Sequence, residues 1–228
     1  MSKDAWVRII PFAVFMGFIG LQQGIEWLVG QGAIDLTVQQ LLYLYPVKAI
    51  LVFVLLLFFM RHYEELHWSD FKNILHTLGS LLLGVVVFWL WINMDWDFAT
   101  FGESKGFNPM LIEDTTVRQT LIFSRIFGAA LVVPIMEELF WRSFLLRYIM
   151  NPDFMLVRIG SYSLASFTIG AILFGLEHNL VLAGVMAGVA YSLLLYWTKS
   201  ISQCVLAHAV TNFMLGIYVL QTGYWQFW

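Results

Sequence analysis

Glu137 and Glu138 stand side by side in the apolar stretch Pro134-Ile135-Met136-Glu137-Glu138-Leu139-Phe140-Trp141-Arg142. In a helix, positions four apart share a face, so Glu138 and Arg142 are placed to pair. Glu137 is turned about 100° from Glu138 and is left to face something else. Two later stretches carry polar groups of matching character: Phe174-Gly175-Leu176-Glu177-His178-Asn179 and His208-Ala209-Val210-Thr211-Asn212. His208 and Asn212 are again four apart, so imidazole and carboxamide project from one helical face. A carboxylate to take a proton, two imidazoles and an amide donor are what attack of water on a peptide bond requires. The competing reading is that these groups only tie helices together by hydrogen bonds.

The elements that must position them are set by composition. Of 228 residues, 60% are hydrophobic and 12% charged, against about 25% charged in an ordinary soluble domain. Such a chain cannot cover its apolar surface with polar groups, so its solvent is lipid and a soluble globular enzyme is excluded. The net charge is −3 with no Lys/Arg-rich block, which leaves no footprint for a nucleic-acid partner. One cysteine, Cys204, excludes an internal disulfide framework and a cysteine-rich metal site.

Seven apolar stretches, 5–28, 41–60, 74–94, 120–148, 159–176, 180–197 and 201–221, are long enough to cross a hydrocarbon core of about 30 Å as helices. The expected fold is all-α: a polytopic transmembrane bundle of about seven helices, with residues 1–228 forming one integral membrane domain. The first stretch is too long for a signal-peptide core and is expected to remain as an anchor. On one side of the bundle fall Lys3, Arg8, Arg61, Lys72, Arg147, Arg158 and Lys199, and on the other only Lys105 and Arg118. This asymmetry predicts a cytoplasmic N-terminus, an external loop from Asp95 to Arg118, and residence in the cell inner membrane. The reactive cavity is expected to open toward the cytoplasm. At 1.5 Å per residue, a straight fifth helix would carry His178 up to about 40 Å past the cytoplasmic loop, beyond Glu137 and His208. Either the helix starts well inside the cytoplasm or, the favoured expectation, it breaks near Gly175 and Asn179 inside a wet pocket.

Glu-Glu-x-x-x-Arg at 137–142, Phe-x-x-x-His at 174–178 and His-x-x-x-Asn at 208–212, in this order, resemble the three motifs of the CPBP intramembrane proteases, the CAAX prenyl endopeptidase and bacteriocin-processing family. The resemblance covers a core of residues 120–218 and implies a metal-independent glutamic endopeptidase without a cofactor. By position, Glu137 and His178 would activate water, His208 and Asn212 would form the oxyanion hole, and Glu138 and Arg142 would hold the surrounding charge. The implied substrate is a membrane-associated or prenylated protein or peptide, cut near its C-terminus. Pro46-Val47-Lys48 and the run 61–66 weakly resemble members tied to bacterial C-terminal sorting systems, so a sorting tail is a further substrate class. Two alternatives stand beside this reading: a zinc-dependent membrane protease, although no His-Glu-x-x-His pattern is present, and a non-enzymatic immunity or scaffold protein of the membrane.

The other polar residues read as structural. Lys48 is expected to snorkel or to pair with an acid such as Glu26, and Arg125 to lie near the outer interface. His62, Glu64, Glu65 and His67 are expected to form a solvated face. Gly184 and Gly188 permit close helix approach, and Cys204 is a small apolar filler.

Overall fold

The computed structural model describes residues 2–100, 102 and 106–228. Among these, the chain forms seven principal helices: α1 (Lys3–Gly30), α2 (Val38–His62), α3 (Ile74–Ile92), α4 (Thr115–Met150), α5 (Leu164–Leu176), α6 (Val181–Thr198) and α7 (Ile201–Thr222). All but α5 are long and apolar enough to cross a membrane. No strand occurs among the described residues; an isolated bridge joins Thr100 to Leu180. The protein is an all-α polytopic bundle, with six full-length spans and a seventh of reduced length. Large apolar side chains such as Phe58, Leu75, Leu82 and Trp89 point outward, as they do where lipid is the solvent. Lys105, part of the loop-charge reading, lies outside the described residues.

The fifth helix starts later than its hydropathy suggests. Gly160 has φ +74°, and Ser163 is extended, with its side chain accepting from the Ser166 N–H. The pair turns and caps the chain, so helix begins at Leu164. Thirteen residues rise about 20 Å, short of a hydrocarbon core of about 30 Å. The chain leaves the helix after Leu176 and resumes at Val181. Residues 177–180 are thus irregular backbone, held by the bridge from Leu180 to Thr100 and by the Trp141 indole donating to Glu177.

Helix α4 is the longest, at 36 residues. Asp114 caps it by accepting from the Val117 N–H at 2.9 Å. Its rise of about 54 Å exceeds the hydrocarbon core, so its polar first turns project beyond it. Two π-helical stretches, Gly128–Val132 and Leu139–Leu145, flank Glu137 and Glu138. The first has a local cause. Pro134 has no N–H and its ring crowds the carbonyl four residues back, and the widened turn just before it relieves both.

α3 lies along α7, and α5 along α6. The second contact depends on glycine: a Cβ on Gly184 would sit 2.9 Å from the Gly175 Cα and 3.2 Å from His178 Nδ1. The small residues expected to allow close approach therefore set the position of the α5 end.

The end of the bundle near Lys3 is closed by a buried charge cluster. Arg8 donates from Nε and Nη2 to the two oxygens of Glu65 at 2.7 and 2.6 Å. Ser143 Oγ donates to Glu65, and Arg147 donates to Ser143 Oγ at 2.9 Å. Glu65 is only 8% exposed, which corrects the expectation of a solvated face. Arg8 is buried inside α1 and requires a counter-charge, and Glu65 supplies it. Burial acts to raise the Glu65 pKa, but the hydrogen bonds and charge of Arg8 outweigh it and hold the carboxyl below its usual range.

Candidate active site

The three polar stretches are carried to one place by α4, the break after α5, and α7. Glu137, His178, His208 and Asn212 all line one cavity of about 190 Å3. Glu137 is 4% exposed, and its Oε2 is buried without a hydrogen-bond partner. His208 lies between the two glutamates: Nδ1 is 3.0 Å from Glu138 Oε1 and Nε2 is 4.0 Å from Glu137 Oε2. Arg142 Nη1 reaches the same Glu138 oxygen at 3.2 Å, as the spacing of four implies. The Arg142 guanidinium also lies 4.2 Å from the Phe174 ring centroid, a cation–π contact. Phe174, the first residue of the second motif, thus packs on the last residue of the first.

His178 Nδ1 stands 2.7 Å from the Phe174 carbonyl. A carbonyl only accepts, so Nδ1 carries the proton and Nε2 of the neutral ring remains an acceptor. Glu177, beside it, accepts from Trp141 Nε1 at 2.9 Å, which ties the irregular segment to α4. Tyr191 stacks on His208 with ring centroids 4.9 Å apart, and its hydroxyl donates to Thr211 Oγ1 at 2.8 Å. Trp141 and Tyr191 have no role in the sequence reading, whereas Glu177 stands there as part of the neighbourhood of the pocket. Tyr191 and Trp141 carry ordinary helix-core signals, and only tertiary contact gives them a task.

Asn212 does more than line the cavity. The Val133 N–H bonds the carbonyl of Gly128, five residues back, and the next residue, Pro134, has no N–H to give. The Ala129 carbonyl is therefore without a backbone donor in either helical register, and Asn212 Nδ2 donates to it at 2.9 Å. One amide hydrogen closes this gap and the second remains for the cavity.

The cavity is placed differently from expectation. Its lining runs from Glu137 and His208 through Asn212 and Leu215 to Arg125, Phe227 and Trp228. It therefore extends toward the end that carries the 93–114 connection. The opposite, Lys3 end is sealed by the Arg8–Glu65 cluster and by Phe12 stacked on Phe140 at 3.8 Å. If the charge asymmetry sets the orientation, the cavity faces away from the cytoplasm. Lys48 is also placed differently: it is buried, with Nζ 4.1 Å from the Phe15 ring centroid and 5.1 Å from that of Tyr45. Cys204 is fully buried, as a filler would be.

Among the described residues no three His, Cys, Asp or Glu side chains gather in a metal-binding group. The fold defines an integral membrane protein with a carboxylate–imidazole cluster buried inside the bundle. Residues 119–214 match the family described as type II CAAX prenyl endopeptidase Rce1-like. That span contains all three motifs and is consistent with the CPBP/CAAX protease family. The match supports intramembrane peptidase activity in general, with a protein substrate in a bilayer setting. No curated protein matches the chain. No solved structure matches it either.

Proposed function

We propose that this protein is a metal-independent, glutamate-dependent intramembrane endopeptidase, with residues 120–218 as its catalytic core within a single membrane domain. The observation that carries the reading is the buried, unpartnered Oε2 of Glu137 in a cavity shared with His178, His208 and Asn212. Leaving such an oxygen dry costs about 1 to 3 kcal/mol or more, and a water held there offsets the cost. Glu137 takes the proton of that water, and His178 Nε2 orients it as an acceptor. The hydroxyl adds to the scissile carbonyl carbon, and the second Asn212 N–H donates to the oxyanion that forms. His208 donates to the same oxygen when Nε2 carries hydrogen. Glu137 then returns its proton to the leaving amine.

The substrate in this reading is a membrane-associated or prenylated protein, or one with a C-terminal sorting tail, cut near its C-terminus. The enzyme sits in the inner membrane with its N-terminus in the cytoplasm. Cleavage is tested by comparing the membrane proteomes of cells carrying wild type and Glu137→Gln. C-terminally shortened products that vanish in the variant support the reading, and identical proteomes count against it. Loss of activity with a zinc chelator, restored by Zn²⁺, would favour the metalloprotease alternative.

A further inference from the structure

At the end of the cavity remote from Glu137, two cations lie within apolar spans and neither forms an ion pair among the described residues. Arg125 lines the cavity, and its guanidinium lies 4.2 Å from the Tyr45 ring centroid and 5.9 Å from that of Trp228. Its Nε is buried without a partner, and so is Nε1 of Trp228, another lining residue. Lys48 backs them through the same Tyr45 ring. Aromatic faces offset part of the charge but accept no N–H in the plane of the guanidinium. Two N–H donors buried beside one cavity without an acceptor, Arg125 Nε and Trp228 Nε1, point to an anion that arrives from outside the chain.

We infer that Arg125 and Trp228, backed by Lys48, form a subsite for the free C-terminal carboxylate of the peptide cut at Glu137; this rests on the proteolytic reading above. A carboxylate accepts from Nε and Nη of arginine and from an indole N–H in one plane. Arg125 and Glu137 are twelve residues apart on one helix, about 18 Å at 1.5 Å per residue. An extended peptide covers that distance in about five residues at 3.3 to 3.6 Å each. The subsite therefore sets the cut some four to six residues before the C-terminus. An internal segment of a longer chain has no carboxylate to offer and is discriminated against.

The test uses the detergent-solubilised full chain and an acetylated hexapeptide of alanine and leucine, without charged side chains, prepared as free acid and as carboxamide. Apparent affinities are read from thermal-shift titrations in the Glu137→Gln background, so that no turnover intervenes. The acid is expected to bind roughly tenfold or more tightly than the amide, as befits charge-assisted hydrogen bonds. Arg125→Gln removes the preference and Arg125→Lys keeps most of it. Equal binding of the two forms, including no binding of either, overturns the subsite, as does a preference that survives Arg125→Gln. Cleavage by Glu137→Gln in a separate activity assay would instead overturn the glutamate base and leave the carboxylate preference standing.

Discussion

His208 Nδ1 stands 3.0 Å from Glu138 Oε1, so the third motif is bound to the acid that also holds Arg142. Adjacent glutamates are thereby divided: Glu138 is engaged through Oε1 by two cationic or potentially cationic partners, whereas Glu137 lines the cavity, and each keeps a buried Oε2 without a hydrogen bond. Glu137→Gln is expected to lower activity by about 10²- to 10⁴-fold, the range for loss of a general base, with the melting temperature held. Glu138→Gln and Arg142→Gln each break a buried ion pair, which typically costs about 3 to 5 kcal/mol. Both should lower the melting temperature and yield in detergent. Activity per folded molecule checks the division, and a stable Glu138→Gln beside an unstable Glu137→Gln would reverse it.

Asn212 has two tasks in this structure, and substitutions separate them. Asn212→Ala leaves the Ala129 carbonyl without a donor, a loss of about 1 to 3 kcal/mol of stability. It also removes an oxyanion donor, for which about 10²- to 10³-fold in kcat is expected. Restoring the backbone donor with Pro134→Ala in the Asn212→Ala background should recover melting temperature while leaving kcat low. Recovery of both would confine Asn212 to its structural task.

The reactive groups were legible because their spacing is helical and their polarity is out of place in lipid. The Glu138–Arg142 pair follows from four-residue spacing alone, and all-α architecture from composition. Asn212's bond to Ala129 was not legible, because it depends on the π-helical stretch before Pro134. Glu65 was misread since its neighbours His62, Glu64 and His67 suggest a wet loop, whereas its partner Arg8 lies 57 residues away. The end of the bundle toward which the cavity extends was not legible, because its lining by Arg125, Phe227 and Trp228 arises from tertiary packing.

The Arg8–Glu65 pair should give the protein an acid-sensitive limb. The folded Glu65 pKa is depressed, so its contribution is fully present above the unfolded value of about 4.3. That contribution is lost as pH falls through the folded value. Melting temperature in detergent should decline below about pH 4.3 in wild type. Glu65→Gln should flatten the decline while lowering stability at neutral pH, where Arg8 is left unpaired. An unchanged acid limb in Glu65→Gln would assign the sensitivity to other carboxylates.

The cavity and the 93–114 connection share one end of the bundle, so accessibility of the two must change together. In a Cys204→Ala background, Met110→Cys, at an exposed position, is expected to react with an impermeant thiol reagent in intact cells. Asp153→Cys, in the connection at the other end, should react only after lysis. Arg125→Cys reports on the cavity itself and should follow Met110→Cys, more slowly because the position is partly buried. Reversal of the first two results would invert the bundle and carry the cavity to the cytoplasmic side. Labelling of Arg125→Cys from the Asp153 side would contradict the seal formed by Arg8, Glu65 and the Phe12–Phe140 stack, and with it the direction from which a substrate reaches Glu137.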